Sequence, residues 1–260
     1  MKDSILAHFH PDERPFAIKM ADMIDRISQQ HELRRTDFLD PRQQAIVETL
    51  VHRHPDLHML LHGGHVDAER RRAVIAPDYR LLEPEDAGLL VVAITSNDNK
   101  IAELDHGDYL GSLIGLGMKR DKLGDLHVTM SGCHCVVAEE MADFIDLHLR
   151  QVHRVSVATE LLPIDRLTPV IPSMEELTFT AASMRLDGIL GDVWRLSRAK
   201  SLVPIKAGRC RVNWKVEEDP SYPLKQGDTV SLKGFGRFVL SRVEGETKKG
   251  RIRLTVSKYI

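Results

Sequence analysis

SMRLDGILGDVWRLSRAKSLVPIKAGRCRVNWK, residues 183–215, decides how the last third of this chain reads. Leu186, Ile189, Leu190, Val193 and Trp194 recur at helical spacing and make one buried face. Ser197 suits the cap of a second helix, and Gly208 suits its end. A strand follows through Arg211 and Val212. The first turn after Ser197 carries Arg198 and Lys200, although a helix N-terminus is already positive. Two cations there make sense if an anion, such as a phosphate backbone, is bound by them and by the free N–H groups. Pro204 interrupts the second helix, and inside a regular helix it would cost roughly 3 kcal/mol. The helix is therefore expected to be kinked or only two turns long.

Arg185-Leu186-Asp187-Gly188-Ile189-Leu190, then LSRAKSLV at 196–203, then KAGRCRVNWK at 206–215 resemble the helix-helix-strand core of the S4 RNA-binding domain. Arg185, Arg195, Arg198, Lys200, Arg209, Arg211 and Lys215 all lie in or beside those elements and form the candidate RNA-binding set. Cations at this density suit phosphate contacts, which give affinity without sequence information. The plainer role is solubilisation with surface ion pairs, but no Asp or Glu occurs between Arg195 and Lys215. Arg185-Leu186-Asp187 also matches a triplet of some pseudouridine synthases, in which the aspartate is catalytic. Here it opens a helix of the S4-like segment, where an aspartate is favoured by the helix dipole. No catalytic residue is assigned.

The charge supports a polyanionic partner at one end. Residues 181–260 hold 17 Lys and Arg against 8 Asp and Glu. Residues 1–180 hold 19 against 30, and all 13 histidines. A merely solvated surface would spread the charge evenly. The 260 residues suffice for two or three small domains. LLVVAIT at 89–95 is too short to span a membrane, and MKDSILAHFHPDERPF lacks the apolar run of a secretory signal. Three cysteines, an odd number, fit a reduced cytoplasmic protein.

The expected fold class is α+β. Residues 1–76 form an N-terminal mixed α/β region. Its first helix carries Phe16, Met20, Met23, Ile24 and Ile27, and its second starts at Asp40-Pro41. Leu57 to Leu61 and Arg72 to Ala76 read as short strands. Residues 77–162 follow the order β-α-β-β-α-β, the ferredoxin-like arrangement shared by the RNA-recognition module (RRM-like). The pieces are LLVVAIT, HGDYLGSLIGLG (106–117), DLHVTMS (125–131), HCVVAE (134–139), the helix through Phe144 and Ile145, and VSVATELL (155–162). Residues 163–174, with three prolines, read as a linker, and 175–260 as the S4-type domain. Strands are expected at Val230 and Leu232, Phe238 and Leu240, and Ile252 and Leu254, with a lysine-bearing turn at Thr247-Lys248-Lys249-Gly250.

The glycines of GSLIGLGMKRDKLGDL (111–126) end a helix rather than precede one, so this is no phosphate loop. Met118 to Lys122 is expected to be an exposed basic loop, and Lys119, Arg120 and Lys122 a second RNA contact. Cys133-His134-Cys135 lacks a fourth ligand, and strand alternation turns His134 from the cysteines, so no metal is assigned. In the set His52, His54, His58, His62 and His65 only His58 and His62 have i,i+4 spacing, in an extended segment.

DYLGSLIGLGMKRDKLGDL (108–126), preceded by GGHVDAERRRAVIAP (63–77) and followed by the S4-like segment, resembles the YlmH family of bacteria along essentially the whole chain. That resemblance implies an N-terminal region, an RNA-binding domain of RNA-recognition-like fold and a C-terminal S4 domain. It also implies association with the ribosome, on large subunits blocked by peptidyl-tRNA. The chain departs from the family at His62 and His65, beside the Gly-Gly pair. HCVVAE carries no aromatic where RNA-recognition modules stack bases, so the middle domain binds RNA by charge or not at all. The expected partners are rRNA and tRNA, with no membrane, small-molecule substrate or cofactor. An RNA-modifying enzyme targeted by its S4 domain, and a cell-division adaptor working through its acidic half, are the competing expectations.

Overall fold

The computed structural model describes residues 9–247 and 250–260, so the two lysines of the turn expected at 247–250 lie outside the described residues. The chain is mixed α/β and divides after Val170 into two compact units.

The first unit begins with helix α1 (Arg14–Gln30), strand β1 (Arg34–Leu39), helix α2 (Pro41–Val51) and strands β2 (Leu57–His62) and β3 (Arg71–Pro77). Asp40 caps α2 by a reciprocal box with Gln43, at 2.8 and 3.0 Å, and Pro41 opens the helix as expected. The strands order β1-β3-β2, all antiparallel. Met20, Ile24 and Ile27 of α1 and Ile46, Val47 and Leu50 of α2 bury against Ala73 and Ile75 of β3.

Strands β4 (Leu89–Thr95), β5 (Leu123–Thr129), β6 (Gly132–Ala138) and β9 (Ala158–Pro163) make a second sheet ordered β5-β6-β4-β9, again antiparallel. Helices α3 (His106–Gly115) and α4 (Glu139–His148) cover one face. Strands β7 (Gln151–Val152) and β8 (Val155–Ser156) form a separate hairpin. VSVATELL is thus two strands rather than the single one expected, since Val155 and Ser156 pair back across a turn in which His153 has φ 50°.

The alternation of β6 explains why nearly all of it is buried. Cys133, Cys135 and Val137 enter the cluster beneath the helices. Val136 and Ala138 point the other way and pack with Phe38 of β1 and Val74 of β3. The two sheets therefore share an apolar layer, with helices on both outer sides. Arg72, only 4 % exposed, crosses this layer. It donates to Thr36 O (2.7 Å), Gly88 O (3.1 Å) and both oxygens of Glu140 (3.2 Å each). A buried guanidinium with every nearby acceptor engaged costs far less than an unpaired one.

The segment expected as a linker begins as part of this unit. Ile164 and Leu167 pack on the shared layer, the Thr168 N–H donates to His134 Nδ1 (3.2 Å) and the Val170 N–H to His127 Nδ1 (3.1 Å).

The second unit contains β10 (Met174–Ala181), α5 (Leu186–Trp194), α6 (Arg198–Lys206), β11 (Cys210–Val212), β12 (Lys215–Val216), β13 (Thr229–Leu232), β14 (Gly236–Glu246) and β15 (Ile252–Tyr259). Its sheet is antiparallel in the order β10-β15-β14-β13-β11-β12. Leu186, Ile189, Leu190 and Val193 bury against Phe238, Leu240, Leu254 and Val256. Among the described residues no helix is long and apolar enough to cross a membrane.

Candidate nucleic-acid interface

The quoted stretch folds as α5, α6, β11 and β12. Ser197 caps α6, its hydroxyl accepting from Lys200 N–H at 3.4 Å. Gly208 leaves the helix with φ 65°, a conformation that a side chain would strain. Pro204 is buried near the end of the nine-residue α6. The chain closes around it, with Arg209 N–H donating to Pro204 O at 2.9 Å. The N–H that proline lacks would have gone to the Lys200 carbonyl, so one bond is lost near a helix end.

The structure brings Arg185 and Arg198 together on one carboxylate. Asp187 is 2 % exposed. Arg185 grips it with Nε and Nη2, both at 3.0 Å, and the Gly188 N–H donates to it at 2.9 Å. Arg198 Nε lies 3.4 Å from the same group. The Arg185 hydrogen bonds, followed by its charge, the Gly188 N–H and Arg198, outweigh burial and hold the Asp187 carboxyl below the usual carboxylate range. An anion was expected at the N-terminus of α6, and for Arg198 the chain itself supplies one in Asp187, although the Arg198 side chain stays 72 % exposed. The described partners of the Asp187 carboxylate are these two arginines and the Gly188 amide. Sequence reading credited it with a dipole effect and missed the clamp, because Arg198 reaches it from another helix.

Lys200, Arg209, Arg211 and Lys215 are exposed. Arg211 Nη1 donates to Trp214 O at 3.0 Å, which holds the β11–β12 hairpin. Arg195 ends α5 with φ 53° and lines a cleft with Glu175, Thr178, Phe179, Asp192 and Lys258. Across this unit Arg237 stacks 4.1 Å from the centre of the Tyr259 ring, a cation–π pair that no local pattern marks.

The loop at 118–122 differs from the exposed basic loop expected. Lys119 is exposed. Arg120 instead turns inward to Leu123 O (2.6 Å) and Gly124 O (3.0 Å). Burial, with Arg70 nearby, lowers its pKa to about 10. Lys122 bonds Asp37 of β1 and lies 3.4 Å from Glu140. Those acids belong to other elements, so sequence alone gives no sign that the cations are engaged. The sheet face without α3 and α4 is occupied as well, by Phe38, Val74, Ile164 and Leu167. In the second sheet Cys133 and Cys135 are buried in the helix-side cluster, where burial pushes the Cys135 thiol up to about 12. Among the described residues no three His, Cys, Asp or Glu side chains gather as a metal site requires.

Two family models match the first unit. Residues 12–80 match "YlmH, N-terminal", and residues 83–166 match "Putative RNA-binding domain in YlmH". The chain is 36 % identical over 254 residues to the "Ribosome-associated protein quality control protein P2" of Bacillus subtilis (strain 168), covering 98 % of each protein. This chain belongs to the YlmH family. A solved structure, "Cell division protein ylmH from Streptococcus pneumoniae", is 25 % identical with a TM-score of 0.54, covering 62 % of this chain and 98 % of that one. Within the YlmH family the present chain thus follows the Bacillus protein from end to end, including the segment that bears the basic helices.

Proposed function

We propose that this chain is a cytoplasmic RNA-binding protein of the ribosome. Its target is rRNA and tRNA on a large subunit that carries stalled peptidyl-tRNA, and it catalyses no reaction there. The second unit acts as an S4-type domain, gripping phosphates with Arg185, Arg195, Arg198, Lys200, Arg209, Arg211 and Lys215. The first unit pairs a YlmH N-terminal region with a ferredoxin-like, RRM-like module whose strand order is β5-β6-β4-β9.

The observation that carries this reading is the basic rank in and beside α5, α6 and β11, in which Arg185 and Arg198 converge on the buried Asp187. Support comes from the ribosome-associated name of the Bacillus relative and from the description of the 83–166 family model. The covered sheet face in the first unit favours the second unit as the main contact, since base stacking needs an open face. Lys119 is the residue of its loop placed to add a phosphate contact.

The double change Arg198→Ala, Lys200→Ala tests it. Losing two phosphate contacts should weaken RNA binding and flatten the log–log salt slope by roughly two units. An unchanged slope in a folded variant would remove both residues from the interface. The name of the Streptococcus structure favours a second reading, an adaptor in cell division. Under that reading RNA affinity is weak at physiological salt and the acidic first unit is the working surface.

A further inference from the structure

Between β11 and β12 the hairpin has two loop residues, Asn213 and Trp214. Both have positive φ, 50° and 64°. Two-residue turns of this hand favour asparagine first and glycine second, because a side chain at the second place crowds the backbone. A tryptophan there is strained.

The neighbours hold it in place. The Asn213 N–H donates to Thr229 O (2.8 Å), its amide donates to Asp228 (2.8 Å), and its oxygen accepts from the Thr229 N–H (2.9 Å). Asp228 is itself fixed by the Lys225 N–H at 2.7 Å. Arg211 then closes on the Trp214 carbonyl. A strained residue fixed from several sides marks a place where the strain is retained for use.

The apolar cluster of this unit includes Trp194 and leaves Trp214 out. Trp214 is half-buried, and the same hairpin carries two exposed cations, Arg211 and Lys215. An aromatic ring on a hairpin that also carries two exposed cations, in the basic unit of the chain, matches what a single-stranded nucleic acid needs: a stacking surface for a base and charges for the adjoining phosphates.

We propose that Trp214 is a base-stacking residue, taking the face of one unpaired RNA base while Arg211 and Lys215 meet the phosphates on either side. This rests on the RNA-binding function proposed above and adds to it the class of RNA, one with an unpaired base in reach.

The chain has two tryptophans, so Trp194→Phe leaves Trp214 as the sole indole reporter. The probes are a short RNA stem-loop and the same stem closed as a full duplex. In the Trp194→Phe protein the stem-loop should quench the emission of Trp214 and the duplex should leave it largely unchanged. In the otherwise native chain, Trp214→Gly relieves the positive φ and should remain folded in a thermal melt. It should also lower stem-loop affinity roughly ten- to a hundredfold with an unchanged salt slope. Trp214→Phe should recover part of that affinity. Native affinity in Trp214→Gly would overturn the inference, and so would a loss matched by a shallower slope. If Arg198→Ala, Lys200→Ala still weakens binding in that event, the RNA-binding function stands without this residue. A native chain that binds no stem-loop overturns both.

Discussion

Asp187 shows at the scale of one residue how the basic surface is built. Its burial would be costly alone, and three donors offset that cost. Coulomb attraction by itself says that removing a carboxylate beside a phosphate site strengthens RNA binding. The clamp says the opposite, because Arg185 loses its two-oxygen grip, the asparagine keeping a single acceptor, and Arg198 loses its charged anchor. Asp187→Asn should therefore weaken RNA binding severalfold in a titration, and tighter binding would contradict the clamp. The same variant reports on acid stability. A carboxyl held low in the folded state adds stability above its unfolded pKa of about 3.9, and that stability fades as pH falls through the folded value. The native chain should outlast Asp187→Asn in thermal melts near neutral pH, by about 1.5–3 kcal/mol for hydrogen bonds to a charged group. The gap should close as the pH drops below 4.

At the scale of elements, what was legible depended on whether a segment keeps a regular apolar period. Helix α5 keeps its period, whereas α6, which buries Ser201, Pro204 and Ile205, was legible from its caps, Ser197 and Gly208 standing where the residue types place them. Strand β1 was missed because its alternation breaks at the irregularity between Arg35 and Phe38 and its first two residues are exposed arginines. Strand β10 was missed because it is an edge strand with Glu175 and Glu176 exposed, whose partner β15 lies at the far end of the chain. The basic loop before β5 misled for a related reason, since Lys122 finds Asp37 85 residues away. Lys122→Ala should consequently lower the stability of the first unit by about 1 kcal/mol. It should leave the salt slope of RNA binding unchanged. A shallower slope in that variant would show that Lys122 reaches RNA instead.

For the whole molecule, the division after Val170 separates an acidic part from a basic one. The charge imbalance was readable from the sequence alone. The packing of two sheets against each other was not, because a run such as Cys135-Val136-Val137-Ala138 looks equally apolar whether its faces meet one layer or two. Phe38, 1 % exposed, sits in that shared layer. Phe38→Ala should cost the first unit about 3–5 kcal/mol. Because the proposed RNA contacts lie in the second unit, RNA affinity should survive at temperatures where the variant stays folded. Loss of binding by a folded Phe38→Ala protein would place the main contact in the first unit.

The most direct measurement is sedimentation of a cell lysate through a sucrose gradient, following the native chain and the Arg198→Ala, Lys200→Ala variant. Native protein migrating with large ribosomal subunits, and the folded variant released to the top, is the result expected if the second unit grips ribosomal RNA through α6. Both proteins remaining at the top would contradict ribosome association.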